Sequence, residues 1–243
     1  MSAATEHLHR SLRRTARSLS RDLTGVRPGP AVACVYDPLD YAWKAHAAFL
    51  SMARLRPRAL LLGMNPGPFG MVQTGVPFGE IEAARSFLGI DRGVRAPRLQ
   101  HPRRPVLGFA CPRSEVSGRR FWGLLRDEFG TATRFFRAGF VWNWCPLAFT
   151  APSGANVTPD HLPARARAVI ERACDAALVR VVSSLRPRMV IGVGGFASDA
   201  ARRALGDHLP VHTVLHPSPA SPAANRGWEG QARRQLRACG FLP

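Results

Sequence analysis

At 243 residues, with 46% apolar and 21% charged, the chain is long enough for one large domain with a sizeable buried core. No run of 18 apolar residues occurs, which argues against a membrane span. Thirty-four basic residues against sixteen acidic ones leave a net charge of +18 and a pI near 11.6. That charge predicts a polyanionic partner, nucleic acid first, the alternative being a merely solvated basic surface. Lys44 is the sole lysine and the other 33 basic residues are arginines, a bias that fits the codon usage of a GC-rich genome.

The N-terminal stretch is basic and amphipathic, with Leu8, Leu12, Ala16, Leu19 and Leu23 at helical spacing among arginines. It lacks the uninterrupted apolar core of a secretory signal. Glu6 and Asp22 are its only acids, which leaves an organellar presequence open. The preferred reading is a basic helix, docked or loosely attached, over residues 1–30. Helical patterning follows at 41–55, and the apolar run at 58–64 reads as a strand buried on both faces of a parallel sheet. A helix is expected at 80–88, an irregular Pro-, Arg- and Gly-rich insertion at 89–118, and a helix at 121–129. Strands at 139–143, 188–193 and 211–215 alternate with helices at 162–185, 196–205 and 227–239. Strands separated by helices imply right-handed crossovers. The expected fold is a three-layer α/β/α sandwich with a central four-stranded parallel sheet, in a single domain at 31–243. Cys34, Cys111, Cys145, Cys174 and Cys239 form no C-x-x-C pair, so neither a disulfide framework nor a cysteine metal site is expected. A reducing, cytoplasmic setting follows.

Ligands of such sheets bind beyond the carboxyl ends of the strands. The first exit, Gly63-Met64-Asn65-Pro66-Gly67-Pro68-Phe69-Gly70-Met71, is a pre-shaped loop with Asn65 as its only strongly polar side chain. It lacks the G-K-[ST] ending of a phosphate-binding loop. Phe78 lies in a Gly/Pro-framed turn, where it either stacks on a planar ligand or plugs the core. The second exit offers Asn143-Trp144-Cys145-Pro146 and the fourth His216-Pro217-Ser218-Pro219; the third has glycines but no reactive group. His208, His212 and His216 have the spacing of helical metal ligands, but Pro210 and the alternation at 211–215 make this a strand, so no metal site is expected. His216 at a strand end could stabilise a developing anion or simply be a hydrogen-bonded turn histidine. There is no G-x-S-x-G elbow and no acid in the first-exit loop, and Lys44 is poorly placed for Schiff-base chemistry.

The run G-M-N-P-G-P-F-G-M-V-Q-T-G-V-P-F-G-E at 63–80 resembles the signature of the single-strand-selective monofunctional uracil-DNA glycosylases, a branch of the uracil-DNA glycosylase superfamily. The resemblance continues through Tyr36-Asp37-Pro38-Leu39-Asp40-Tyr41-Ala42-Trp43, Cys111-Pro112 to Trp122, Asn156-Val157-Thr158-Pro159, His216-Pro217-Ser218-Pro219 and Asn225-Arg226-Gly227-Trp228-Glu229. It covers residues 32–243. It implies hydrolysis of the N-glycosidic bond of a flipped deoxyuridine, and of 5-substituted uracils, without a cofactor. By resemblance, Asn65 positions the water and His216 stabilises the departing base. Asn143 would read the uracil edge and Phe78 stack on it, with Gly63, Met64, Gly67 and Met71 shaping the pocket. Ser218, Pro219, Ala220, Ser221 and Arg226 fall in the DNA-contacting wedge segment. Two positions depart from the family: Ala220 stands where an arginine is usual, and Trp142 where a histidine is common.

The chemistry agrees with the residue inventory. Departure of uracil leaves an oxocarbenium-like sugar and an anionic base, so the protein needs to stabilise charge and place water rather than supply a nucleophile. An asparagine amide matches the O4 and N3–H of uracil, whereas cytosine presents the opposite donor–acceptor pattern. The implied partner is uracil-containing DNA, single- or double-stranded, met by a monomer at a bacterial nucleoid with no membrane involved. The competing readings are the same fold tuned to xanthine or hypoxanthine, and a non-catalytic DNA-binding descendant.

Overall fold

The computed structural model describes residues 2–243. The basic N-terminal stretch forms α1 (Ala3–Asp22), opened by the Ser2 hydroxyl, which accepts the Thr5 N–H. Its stripe of Leu8, Leu12, Ala16 and Leu19 is buried and belongs to the same core as the sheet, while Arg10, Arg13, Arg14, Arg17 and Arg21 face solvent. The helix is docked, not loosely attached. After β1 (Cys34–Tyr36), the helix expected at 41–55 divides into α2 (Pro38–Tyr41) and α3 (Trp43–Leu50). The Asp37 carboxylate accepts the Leu39 N–H and starts α2. The Arg54 guanidinium donates to the carbonyls of Ser51, Met52 and Ala53, closing the turn that follows α3.

Then come β2 (Ala59–Gly63) and α4 (Met71–Thr74). The segment expected as an α-helix at 80–88 forms a π-helical turn, Ala83–Phe87, whose start is fixed by the Glu80 carboxylate accepting the Ala83 N–H. The insertion ends earlier than its composition suggests, because α5 (Val116–Phe129) begins before Gly118 and Phe121. A short α6 (Ala132–Ala138), absent from the sequence reading, is started by the Thr131 hydroxyl. The rest of the chain runs β3 (Gly139–Asn143), β4 (Ala148–Thr150), β5 (Asn156–Val157), α7 (Ala164–Leu185), β6 (Met189–Val193), α8 (Gly195–Leu205), β7 (Val211–Val214), α9 (Pro222–Asn225) and α10 (Trp228–Ala238). No helix among the described residues is long and apolar enough to cross a membrane.

The fold is a helix-flanked α/β structure built on a parallel sheet of order β3-β2-β6-β7. Every residue of β2 and β3 is buried, as the lack of polar alternation required. The register pairs Gly63 with Asn143 and Val193 with Val214, so the functional exits open along one edge. A second sheet, antiparallel β1-β4-β5, pairs Cys34 with Thr150 and Phe149 with Val157. It was not foreseen. Its strands are three, three and two residues long, too short for alternation to register.

Candidate active site

A cavity of about 600 Å³ lies at the carboxyl edge of the parallel sheet. It is entered by Asn65 from the β2 exit, Asn143 from the end of β3, Phe78 from the turn after α4, and His216 from the β7 exit. Met64, Gly67, Ser218 and Pro219 complete the part of the wall that sequence reasoning named. Ala220, Ser221 and Arg226 do not line it. Ala220 and Arg226 are exposed, and the Ser221 hydroxyl accepts the Ala224 N–H to start α9. Arg226 follows α9 and precedes the Gly227 turn (φ +94°), so it does not sit on the closing helix.

The β2 exit is held from two sides. Behind it, Gln73 donates from Nε2 to the carbonyls of Pro68 and Pro105, and its Oε1 accepts the N–H groups of Leu107 and Gly108. Asn65 directs its Nδ2 toward the carbonyl of Leu147 at 3.4 Å, with Pro66 O at 3.5 Å.

Phe78 occupies the left-handed region (φ +52°), a conformation that costs an L-residue about 1–2 kcal/mol. Its ring stacks on Phe121 of α5 at 4.3 Å with an interplanar angle of 18°, a contact worth about 0.5–1.5 kcal/mol. The two terms are of similar size, so the strained backbone is held by the stack. Phe78 is therefore both a core ring and a pocket wall. Two glycines from neighbouring elements pack against this turn: a Cβ on Gly63 of β2 would lie 2.7 Å from the Phe78 ring, and one on Gly118 of α5 would meet the Phe78 carbonyl.

Asn143 is buried, and its Nδ2 lies 3.2 Å from Sδ of Met71. Met71 is thus not part of the main wall. It stands behind Asn143, beside a small cavity shared with His46 and Trp142. His46 Nδ1 bonds the Gly75 carbonyl at 2.8 Å, while His46 Nε2 and Trp142 Nε1 have no partner. Burial lowers the His46 pKa to about 4.

His216 is likewise shifted down to about 4, by burial. Its Nδ1 faces the Ser218 N–H at 3.1 Å and accepts it, so the proton of the neutral ring resides on Nε2. Gly194 (φ +94°) leaves room for the ring: a Cβ there would lie 3.1 Å from His216 Cβ. The segment after it is braced by Arg120, which donates to the Pro217 carbonyl and to Asn225 Oδ1, both at 3.1 Å. Asn225 Nδ2 in turn donates to the Pro219 carbonyl.

The β2 exit loop has no acid of its own, but the cavity holds a carboxylate, because Glu115, which immediately precedes α5, lines it and lies against that loop. Its pKa is raised to about 7, chiefly by burial. Asn156, Thr158, Arg113 and Ser117 also line the wall and were not singled out for it. Glu115 carried no signal in the sequence, since it falls in the Pro- and Arg-rich stretch ahead of the helix expected at 121–129.

The family model described as the Uracil DNA glycosylase superfamily matches residues 51–237. The chain is 50% identical over 229 residues to the single-strand selective monofunctional uracil DNA glycosylase of Bos taurus, covering 93% of this chain and 84% of that one. It is 51% identical over 229 residues to the corresponding protein of Rattus norvegicus, covering 93% and 82%. A match over that share of the chain reaches back into α1. The crystal structure of Pedobacter heparinus SMUG2 superposes with a TM-score of 0.69 at 18% identity, over 96% of each chain, and so shares the fold. On the family model and the half-identical relatives together, the chain belongs to the uracil-DNA glycosylase superfamily, in its single-strand-selective monofunctional branch.

Proposed function

We propose that the protein excises uracil from DNA by hydrolysing the N-glycosidic bond, leaving an abasic site in an intact strand. The observation that carries this reading is the convergence of Asn65, Phe78, Asn143 and His216, from separate chain segments, on one cavity. The target nucleotide leaves the base stack to enter it, which takes a few kcal/mol and least in a single strand.

Each side chain has a chemical task. Phe78, backed by Phe121, presents a ring for the base to stack on. Asn143 offers Nδ2–H to uracil O4 and Oδ1 to N3–H, with Met71 Sδ taking the second amide hydrogen and fixing which way the amide faces. Asn65 turns its Nδ2 to backbone carbonyls and keeps Oδ1 for the attacking water. His216 is neutral at physiological pH and points its donor, Nε2–H, at the oxygen where negative charge develops. A neutral donor stabilises the leaving base without first having to be charged in a buried site. Exposed arginines neutralise phosphates without reading sequence.

The test is incubation with uracil-containing oligonucleotides, single- and double-stranded, in EDTA, scoring free uracil and strand scission before and after alkali. Free uracil with scission only after alkali is expected. Scission without alkali, or loss of activity to the chelator, contradicts the reading.

A further inference from the structure

We infer that Glu115 is a positioning residue for uracil excision: its carboxylate clamps the loop that carries Asn65 to the start of α5. The inference rests on the uracil-excision reading for its kinetic consequence but not for its geometry. Glu115 Oε2 accepts the Phe69 N–H at 3.3 Å, and the carboxylate also accepts the Gly70 N–H. The fit depends on two glycines. A Cβ on Gly67 would lie 2.6 Å from the carboxylate carbon, and one on Gly70 would lie 2.7 Å from Oε1. A side chain at either position would displace the carboxylate from where it now sits. Glu115 does not cap its own helix; its side chain is turned outward to the neighbouring loop.

The arrangement ties two parts of the site together. α5 supplies Phe121, on which Phe78 stacks, and Gly118, against which the Phe78 carbonyl packs. Through Glu115 the same helix start also holds the backbone four and five residues beyond Asn65. The water-positioning amide and the stacking ring are thereby referenced to one rigid element. Misplacement by about 1 Å is enough to slow a positioned reaction about 100-fold.

The clamp is charge-assisted, and so depends on ionisation. Burial raises the Glu115 pKa to about 7, Glu80 adds to the rise, and the two backbone N–H bonds oppose it. The other charged groups nearby are Arg113 and Arg104, set over the Phe69 ring at 4.1 and 5.3 Å, and Arg119 one turn along α5. His216 faces the same cavity but is neutral above about pH 4. As pH rises through about 7 the carboxyl ionises, its hydrogen bonds to Phe69 and Gly70 strengthen, and the loop tightens.

The experiment compares wild type, Glu115→Gln and Glu115→Ala by two readouts across roughly pH 5 to 9. The first is single-turnover release of uracil from a single-stranded oligonucleotide. The second, independent of activity, is the amide ¹⁵N–¹H shifts of Phe69 and Gly70 in the free protein. In wild type the rate should rise, and both amides should titrate, through about pH 7. Glu115→Gln keeps an acceptor oxygen without charge. It should hold the wild-type acid-limb rate at every pH, roughly tenfold below wild type in alkali, with non-titrating amides. Glu115→Ala, lacking the acceptor, should be slower by about 100-fold, with little change in oligonucleotide affinity. Phe69 and Gly70 amides that do not titrate, or a Glu115→Gln variant with the wild-type rate and pH limb, would overturn the clamp. Titrating amides in a protein that releases no uracil would instead overturn the functional reading and leave the clamp standing.

Discussion

The backbone N–H of Ser218 donates to Nδ1 of His216 at 3.1 Å, which fixes the tautomer of a histidine whose pKa lies near 4. The His-Pro-Ser-Pro sequence is thus a turn that aims one N–H, on Nε2, and keeps the ring uncharged. Removal of such a donor is expected to lower the excision rate by about 10²–10³-fold in His216→Ala, with DNA affinity nearly unchanged. The pH profile adds a second check. A histidine shifted down to about 4 is already neutral well below physiological pH, so His216 should contribute no limb at neutrality. A wild-type rate limb near neutrality that disappears in His216→Ala would contradict this.

The two asparagines should separate kinetically. Asn65→Ala is expected to slow the chemical step by orders of magnitude while leaving the choice of base intact, because it removes only the water's acceptor. Asn143→Asp replaces the donor to O4 with an oxygen and should chiefly erode discrimination between uracil and cytosine. Single-turnover rates on matched uracil and cytosine oligonucleotides decide this. Preserved discrimination in Asn143→Asp would remove its assigned role.

Much of this was legible in the sequence, for identifiable reasons. Three of the four parallel strands, β2, β3 and β6, are largely apolar runs, and a run such as Ala59–Gly63 has no other comfortable environment than a sheet covered on both faces, whereas β7 was read from its alternation. Asn65, Asn143 and His216 were findable because each stands at the carboxyl end of a strand legible in the sequence. Glu115 was not, because it reaches the site from a Pro- and Arg-rich stretch with no period, and only tertiary structure brings it against Gly67. Phe78 was ambiguous for a physical reason: its ring stacks on Phe121 and also lines the cavity, so packing in the core does not exclude a place in the pocket wall.

Ala220 is exposed on the segment braced by Arg120 and Asn225, and its N–H is held by the Ser218 hydroxyl. Its methyl group is too short to fill the gap left by a flipped base. Duplex uracil should therefore be processed less well than single-stranded uracil, most visibly opposite adenine, where the pair to be broken is intact. Ala220→Arg should raise duplex activity more than single-strand activity. Equal gains on both substrates would mean that the arginine merely contacts a phosphate.

Acid should weaken the fold through its buried histidines. His46 and His216 both have folded pKa values near 4 against an ordinary value of 6.5, so the unfolded chain binds protons more readily. Their contribution is complete above about 6.5 and is lost as pH falls toward 4. His46→Phe leaves the Gly75 carbonyl unpaired, at a cost of about 1–3 kcal/mol near neutrality, but should flatten part of the acid decline. Urea unfolding near neutral pH and near pH 4 measures both effects. An unchanged acid decline in His46→Phe would show that this histidine is not responsible.

The docking of α1 has a consequence for how the chain is made. Its apolar stripe is covered by α7, and the Ser11 and Ser184 hydroxyls meet at 2.7 Å across 173 positions of sequence. During synthesis the first helix therefore emerges long before the surface that shelters it. Through that interval its leucines stay in water, and the row of arginines opposite them keeps the nascent segment soluble. Closure of α1 onto α7 is a non-local step that waits for residues 164–185. Shortening the protein at its start would leave α7 with an uncovered apolar groove, a chain prone to self-association rather than a trimmed enzyme.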